Sequence, residues 1–203
     1  MNIDFGARTR EAREINEKSR SIVRSIVKGD LPEDRIRQRC VIATGDPEFA
    51  TLMRFNNDPI NAGINAIRKG MPIFTDIKMA EAGITKRGHK CNVRCALDEG
   101  NDIAERAGVT RTSAGFMALE NELHGAIIVI GNAPSAALTV CGMIRNGLSL
   151  ALLVATPVGF VNAAESKELV RTLPVPSITC IGTRGGTPVA VAVVNELVEI
   201  ALR

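Results

Sequence analysis

Three basic residues stand out by their position. Arg111, Lys167 and Arg184 each border an apolar stretch, where a charge needs a partner. A guanidinium at 111 or 184 can take a carboxylate through two parallel hydrogen bonds. The plainer alternatives are a structural ion pair for the arginines and a helix-surface position for Lys167, offset by Glu165 or Glu168. Four short polar segments follow apolar runs: Thr44-Gly45-Asp46, Thr75-Asp76, Gly131-Asn132-Ala133-Pro134-Ser135 and Gly182-Thr183-Arg184-Gly185-Gly186-Thr187. Glycine lets the main chain approach a ligand, and a helix start after it favours an anion. Each segment alone also reads as an ordinary strand-to-helix turn. Together they suit a cleft for an acidic ligand. No dinucleotide fingerprint, P-loop or Gly-x-Ser-x-Gly elbow occurs. His89 and His124 are far apart and Cys91 and Cys95 form only a pair, so no metal is expected.

The elements that must hold these residues follow from apolar periodicity. Residues 8–28 predict a helix bounded by Gly29 and Pro32. Apolar runs predict strands at Cys40–Ala43, Met71–Thr75, Val93–Ala96, Ala126–Ile130, Leu152–Thr156 and Ser177–Ile181. Helices are predicted at Pro47–Arg54, Pro59–Arg68, Asp76 to about Ala82, Asp98–Ala107, Thr112–Leu123, Ser135–Ile144, Asn162–Leu169 and Thr187–Leu202. Continuous apolar strands alternating with helices indicate an α/β fold: a doubly wound, mostly parallel sheet with helices on both faces. We expect one α/β domain over 1–203, with an N-terminal helical segment at 1–30 and the sheet core at 38–203. Ligands of such sheets bind beyond the carboxyl ends of the strands.

Composition narrows the function classes. The 203 residues are 45% hydrophobic and 23% charged, which fits a globular protein rather than a disordered or fibrous one. No run approaches the roughly 18 apolar residues of a membrane span, and residues 1–10 lack an apolar leader core, so a cytoplasmic protein is expected. Five scattered cysteines do not make a disulfide framework. Trp and Tyr are absent and the net charge is only +3, which argues against nucleic-acid binding. Charge is also unevenly spread. Residues 112–203 hold 5 Lys or Arg and 6 Asp or Glu, and between Leu123 and Ala164 the one formally charged residue is Arg145. Charges in this half therefore carry more information than those before it.

Taken together, several segments resemble the precorrin-8X methylmutases of cobalamin biosynthesis. They include Ala43-Thr44-Gly45-Asp46-Pro47-Glu48-Phe49, Pro72-Ile73-Phe74-Thr75-Asp76, Thr110-Arg111-Thr112-Ser113 and Ile130-Gly131-Asn132-Ala133-Pro134. The longest is Pro157-Val158-Gly159-Phe160-Val161-Asn162-Ala163-Ala164-Glu165-Ser166-Lys167, followed by Arg184-Gly185-Gly186-Thr187. The resemblance implies the methylmutase fold, a homodimer, no cofactor, and an isomerase that moves a methyl group from C11 to C12 of precorrin-8X or its cobalt form. It implies a tetrapyrrole polycarboxylate bound by Thr44, Asp46, Thr75, Asp76, Arg111, Ser113, Asn132, Lys167 and Arg184. One departure stands against it. The family reads Arg-Val-Ile-His-Ala-Thr-Gly-Asp, with the His as its proposed general acid, and here Ile42 occupies that place in Arg39-Cys40-Val41-Ile42-Ala43-Thr44-Gly45-Asp46. Isoleucine has no proton to give, and general acid catalysis is typically worth roughly 10²–10⁴-fold. The alternative is a related tetrapyrrole- or polycarboxylate-binding protein without methylmutase activity.

Overall fold

The computed structural model describes residues 9–202. Its centre is one six-stranded sheet with strand order β1-β6-β5-β4-β2-β3. The strands are β1 (Met53–Asn56), β2 (Ile73–Thr75), β3 (Val93–Cys95), β4 (Ile127–Ile130), β5 (Leu152–Ala155) and β6 (Ser177–Cys180). All pairings are parallel except β1 with β6, where Met53 faces Cys180 in antiparallel register. The sheet divides the core in two, because strand side chains alternate between faces. Ile127 and Val129 point to one side, with Leu152, Val154 and Ile178. Ile128 and Ile130 point to the other, with Phe74, Leu153 and Ala155. Both faces are apolar, which is why the strands read as unbroken hydrophobic runs.

On the first side lie α1 (Arg10–Ile26), α2 (Pro32–Thr44), α4 (Pro59–Lys69), α5 (Lys78–Gly83) and α10 (Thr187–Ala201). On the second lie α7 (Arg111–Ala118), α8 (Pro134–Arg145) and α9 (Ala163–Arg171). Two short helices, α3 (Phe49–Leu52) and α6 (Asn101–Ala107), complete the set. The doubly wound, mostly parallel architecture is as expected. Thr9 caps α1, its hydroxyl accepting the Ala12 N–H, while the predicted helix start at Arg8 lies outside the described residues.

One predicted strand is corrected. Cys40–Ala43 belongs to α2, which begins with Pro32 at its first position and stops at Gly45 in the left-handed conformation. Ile36, Cys40 and Val41 are buried at helical spacing, so the short apolar run is the inner stripe of a helix. Thr44-Gly45-Asp46 is consequently a helix terminus and not the end of a strand. The predicted helix over Pro47–Arg54 shrinks to one turn, α3, and its last two residues open the edge strand β1. Only Met53 of that strand is buried, so it shows little apolar pattern.

Candidate functional site at the carboxyl edge

The carboxyl ends of β2, β4, β5 and β6 meet in a set of loops bonded to one another. Asp76 directly follows β2. It is 1% exposed. Its Oδ1 accepts the Gly131 N–H at 3.1 Å, and its Oδ2 accepts those of Asn132 and Ala133 at 2.7 Å each. One carboxylate thus shapes the whole turn from β4 into α8. Burial pushes this carboxyl above its ordinary range, and the backbone N–H groups oppose that rise. Thr75 is also buried, its hydroxyl directed at the Ile77 and Arg94 carbonyls.

Gly131 makes room for the next contact. A Cβ there would come within 2.7 Å of Thr187 Cα, so the end of β4 can touch the start of α10 only through glycine. The loop 182–186 is held from several directions. Thr156, just past β5, accepts the Gly186 N–H at 2.7 Å, and the Gly159 N–H reaches the Thr183 carbonyl at 3.0 Å. From below, Lys167 on α9 donates to the Arg184 carbonyl at 2.6 Å and lies 3.6 Å from Cys180 Sγ. Lys167 is 0% exposed, so it is not a helix-surface residue. Burial pulls its amine below the ordinary lysine range, and the same burial pushes the Cys180 thiol up.

Three other predicted residues face outward. Arg184 is exposed and pairs with Asp46 at 2.8 Å and with Glu48, which ties the end of α2 to the loop after β6. Those acids hold its guanidinium above the ordinary arginine value. Arg111 begins α7 and is exposed, as is Asn132 at the tip of its loop. The starts of α7 and α8 are linked, since the Thr110 and Ser135 hydroxyls are 2.9 Å apart. Ser113 is buried and serves this cap, its N–H donating to the Thr110 hydroxyl. Thr44 turns back on its own helix, bonding the Cys40 carbonyl, and accepts the Asp46 N–H. The predicted set therefore divides. Thr75, Asp76, Ser113 and Lys167 shape the main chain, while Asp46, Arg111, Asn132 and Arg184 stand at or near the surface.

Ile42 sits in the last turn of α2 and lines a recess of about 250 Å³ with Arg20, Arg24, Arg35, Arg39 and Glu196. Sequence reasoning missed these charged residues. Glu196 and Glu199 were the signal: two acids in a charge-poor half, on a helix otherwise uncharged. Burial and Glu199 push the Glu196 carboxyl up, against Arg35 and Arg39. Burial also acts on Glu199, but the guanidiniums of Arg20, Arg39 and Arg35 outweigh it and hold that carboxyl below its usual range. Neither imidazole reaches the carboxyl edge. His89 precedes β3 and bonds the Thr85 carbonyl and the Cys91 N–H, and His124 meets Ser149 ahead of β4. Among the described residues no three His, Cys, Asp or Glu side chains converge as metal ligands, and no helix is long and apolar enough to cross a membrane.

A sequence model of the precorrin-8X methylmutases matches residues 14–200. The chain belongs to the precorrin-8X methylmutase family. It is 40% identical to a cobalt-precorrin-8 methylmutase of Methanocaldococcus jannaschii, covering 97% of this chain and 98% of that one. A precorrin-8X methylmutase of Pseudomonas aeruginosa is 35% identical over 82% of this chain and 85% of its own length. The crystal structure of a precorrin-8X methylmutase from Thermus thermophilus superposes with a TM-score of 0.86 at 33% identity, covering 94% of this chain and 96% of that one. The likeness thus extends over nearly the whole chain.

Proposed function

We propose that the protein is an isomerase that shifts a methyl group from C11 to C12 of precorrin-8X or cobalt-precorrin-8, giving hydrogenobyrinate or its cobalt counterpart. What carries this reading is a carboxyl edge of mutually bonded loops in a chain that aligns with the methylmutases almost end to end. The reaction is intramolecular, so a rigid site that orients the ring and its carboxylates supplies much of what is required. Arg111 and Asn132, both exposed at this edge, would meet those carboxylates, and Arg184 would do so beside its partners Asp46 and Glu48. Asp76 and Lys167 act beneath them as positioning residues.

A homodimer working in the cytoplasm belongs to the same reading. Phe160 is 93% exposed beside Val161 in the loop after β5, and Ile15, Ile22 and Ile26 form an exposed stripe on α1. Surfaces of that kind fit a second copy of the chain. The five cysteines are all unpaired, which fits a reducing compartment.

Ile42 favours a second reading, a protein that binds the tetrapyrrole without turning it over. An anaerobic assay with precorrin-8X and with cobalt-precorrin-8, read by absorbance and retention time, separates the two. Product from the unaltered chain supports the isomerase. Binding without product, with turnover gained by Ile42→His, supports the binder.

A further inference from the structure

The recess beside Ile42 lies where α1 crosses α2 and α10. Arg20 and Arg24 stand one turn apart on α1, and Arg35 and Arg39 one turn apart on α2. The connection between these helices is pinned by Gln38, whose amide donates to the Val27 and Gly29 carbonyls at 3.0 Å. The floor is a buried ion network. Glu196, 2% exposed, pairs with Arg35 at 2.5 Å and with Arg39 at 3.6 Å. Glu199 pairs with Arg20 at 3.2 Å, Arg39 at 3.5 Å and Arg35 at 3.6 Å.

Glu196 and Glu199 form the floor, while Arg24 and Asp30 of the lining are both exposed. Four arginines line the recess against Asp30 and Glu196. Among the described residues Arg24 has no ion-pair partner, and it is exposed. The recess, about 250 Å³, has room for a small acid. Its one apolar wall residue is Ile42. Guanidiniums facing a hydrocarbon wall suit a carboxylate on a short methylene stem.

We propose that this recess is an oxyanion site, taking one carboxylate on Arg24 and Arg39 with its stem along Ile42. The carboxylate comes either from an acetate or propionate arm of the tetrapyrrole or from a free small acid. The first source rests on the proposed function; the site itself does not.

The test uses the full chain with succinate and inorganic phosphate as calorimetric probes, and with hydrogenobyrinate followed by its visible absorption. Arg24→Gln and Arg39→Gln are compared with Lys28→Gln, an exposed neighbour outside the recess. Arg24 is at the surface, so its variant keeps the fold intact. If the site is real, succinate or hydrogenobyrinate binds about tenfold or more weakly to the two arginine variants, Lys28→Gln stays within about twofold, and salt weakens binding. Competition between succinate and hydrogenobyrinate assigns the recess to an arm of the macrocycle. Simultaneous binding assigns it to a free acid. The proposal is overturned if neither small anion binds and hydrogenobyrinate affinity is unchanged by Arg24→Gln and Arg39→Gln, or if Lys28→Gln weakens binding as much as they do. Succinate binding in a chain that ignores tetrapyrroles would sink the proposed function and leave the site standing.

Discussion

The carboxyl edge and the arginine recess use buried charge in opposite ways. At the edge the two buried charges, Asp76 and Lys167, each stand alone and are satisfied chiefly by the main chain. Asp76 accepts three backbone N–H groups, and Lys167 donates a hydrogen bond to a carbonyl. In the recess, charges satisfy one another, with three arginines around two glutamates. A lone charge held by backbone fixes the path of a loop. A cluster of ions shares its contacts, so no single member decides the local shape. The contrast predicts that removing Asp76, which alone holds three backbone donors, costs more than removing any single arginine of the recess.

Asp76→Ala carries the largest expected effect. It orphans three backbone donors, and hydrogen bonds to a charged acceptor are worth about 1.5–3 kcal/mol each. A loss on the order of 4 kcal/mol, measured by urea unfolding, is expected. Next comes Arg35→Met. Breaking a buried pair outright costs about 3–5 kcal/mol, but Arg39 remains against both glutamates, so about 2 kcal/mol is expected in the same experiment. A loss as large as that of Asp76→Ala would erase the contrast.

Lys167→Met should change neutral stability by no more than about 1 kcal/mol, since apolar replacement of a buried charge is often neutral. Its signature is in the pH dependence. The folded pKa lies below the ordinary 10.5 of the unfolded chain. Above the folded value the unfolded chain binds more protons, so this group adds stability as pH rises; the gain is lost as pH falls through the folded pKa. The native chain should therefore gain on the variant as pH rises toward the ordinary lysine value of 10.5. A flat difference would mean that the amine is not desolvated. The smallest stability effect belongs to Arg184→Ala. Its ion pairs are exposed, so the melting temperature should not move measurably, while tetrapyrrole affinity falls.

Much of this was legible from the chain alone. Ile127–Ile130 could hardly be other than a buried strand, and the loops after it were placed correctly because glycine and Asp76 follow apolar runs. The role of those residues was less legible. Sequence puts Asp76 just after a strand and Lys167 near a helix start; only the fold reveals that both point inward to backbone groups. Cys40–Ala43 was misread because four apolar residues fit a strand or one stripe of a helix equally well. β1 was hidden because an edge strand needs few apolar residues. The recess escaped because its arginines come from the charge-rich first half, where helical spacing such as Arg35 and Arg39 looks like ordinary surface.

The stitching of the carboxyl edge also sets an order of assembly. Asp76 reaches Gly131 across 55 residues, and Thr156 reaches Gly186 across 30. Closing loops of that length costs entropy before any bond repays it. Pairing β2 with β4 already closes the first of these loops, so the edge bonds can follow the sheet, with strands paired while the edge is still open. A chain caught at that stage has its core but no surface that can grip a ligand. Readiness to bind is in this sense a certificate that folding is finished.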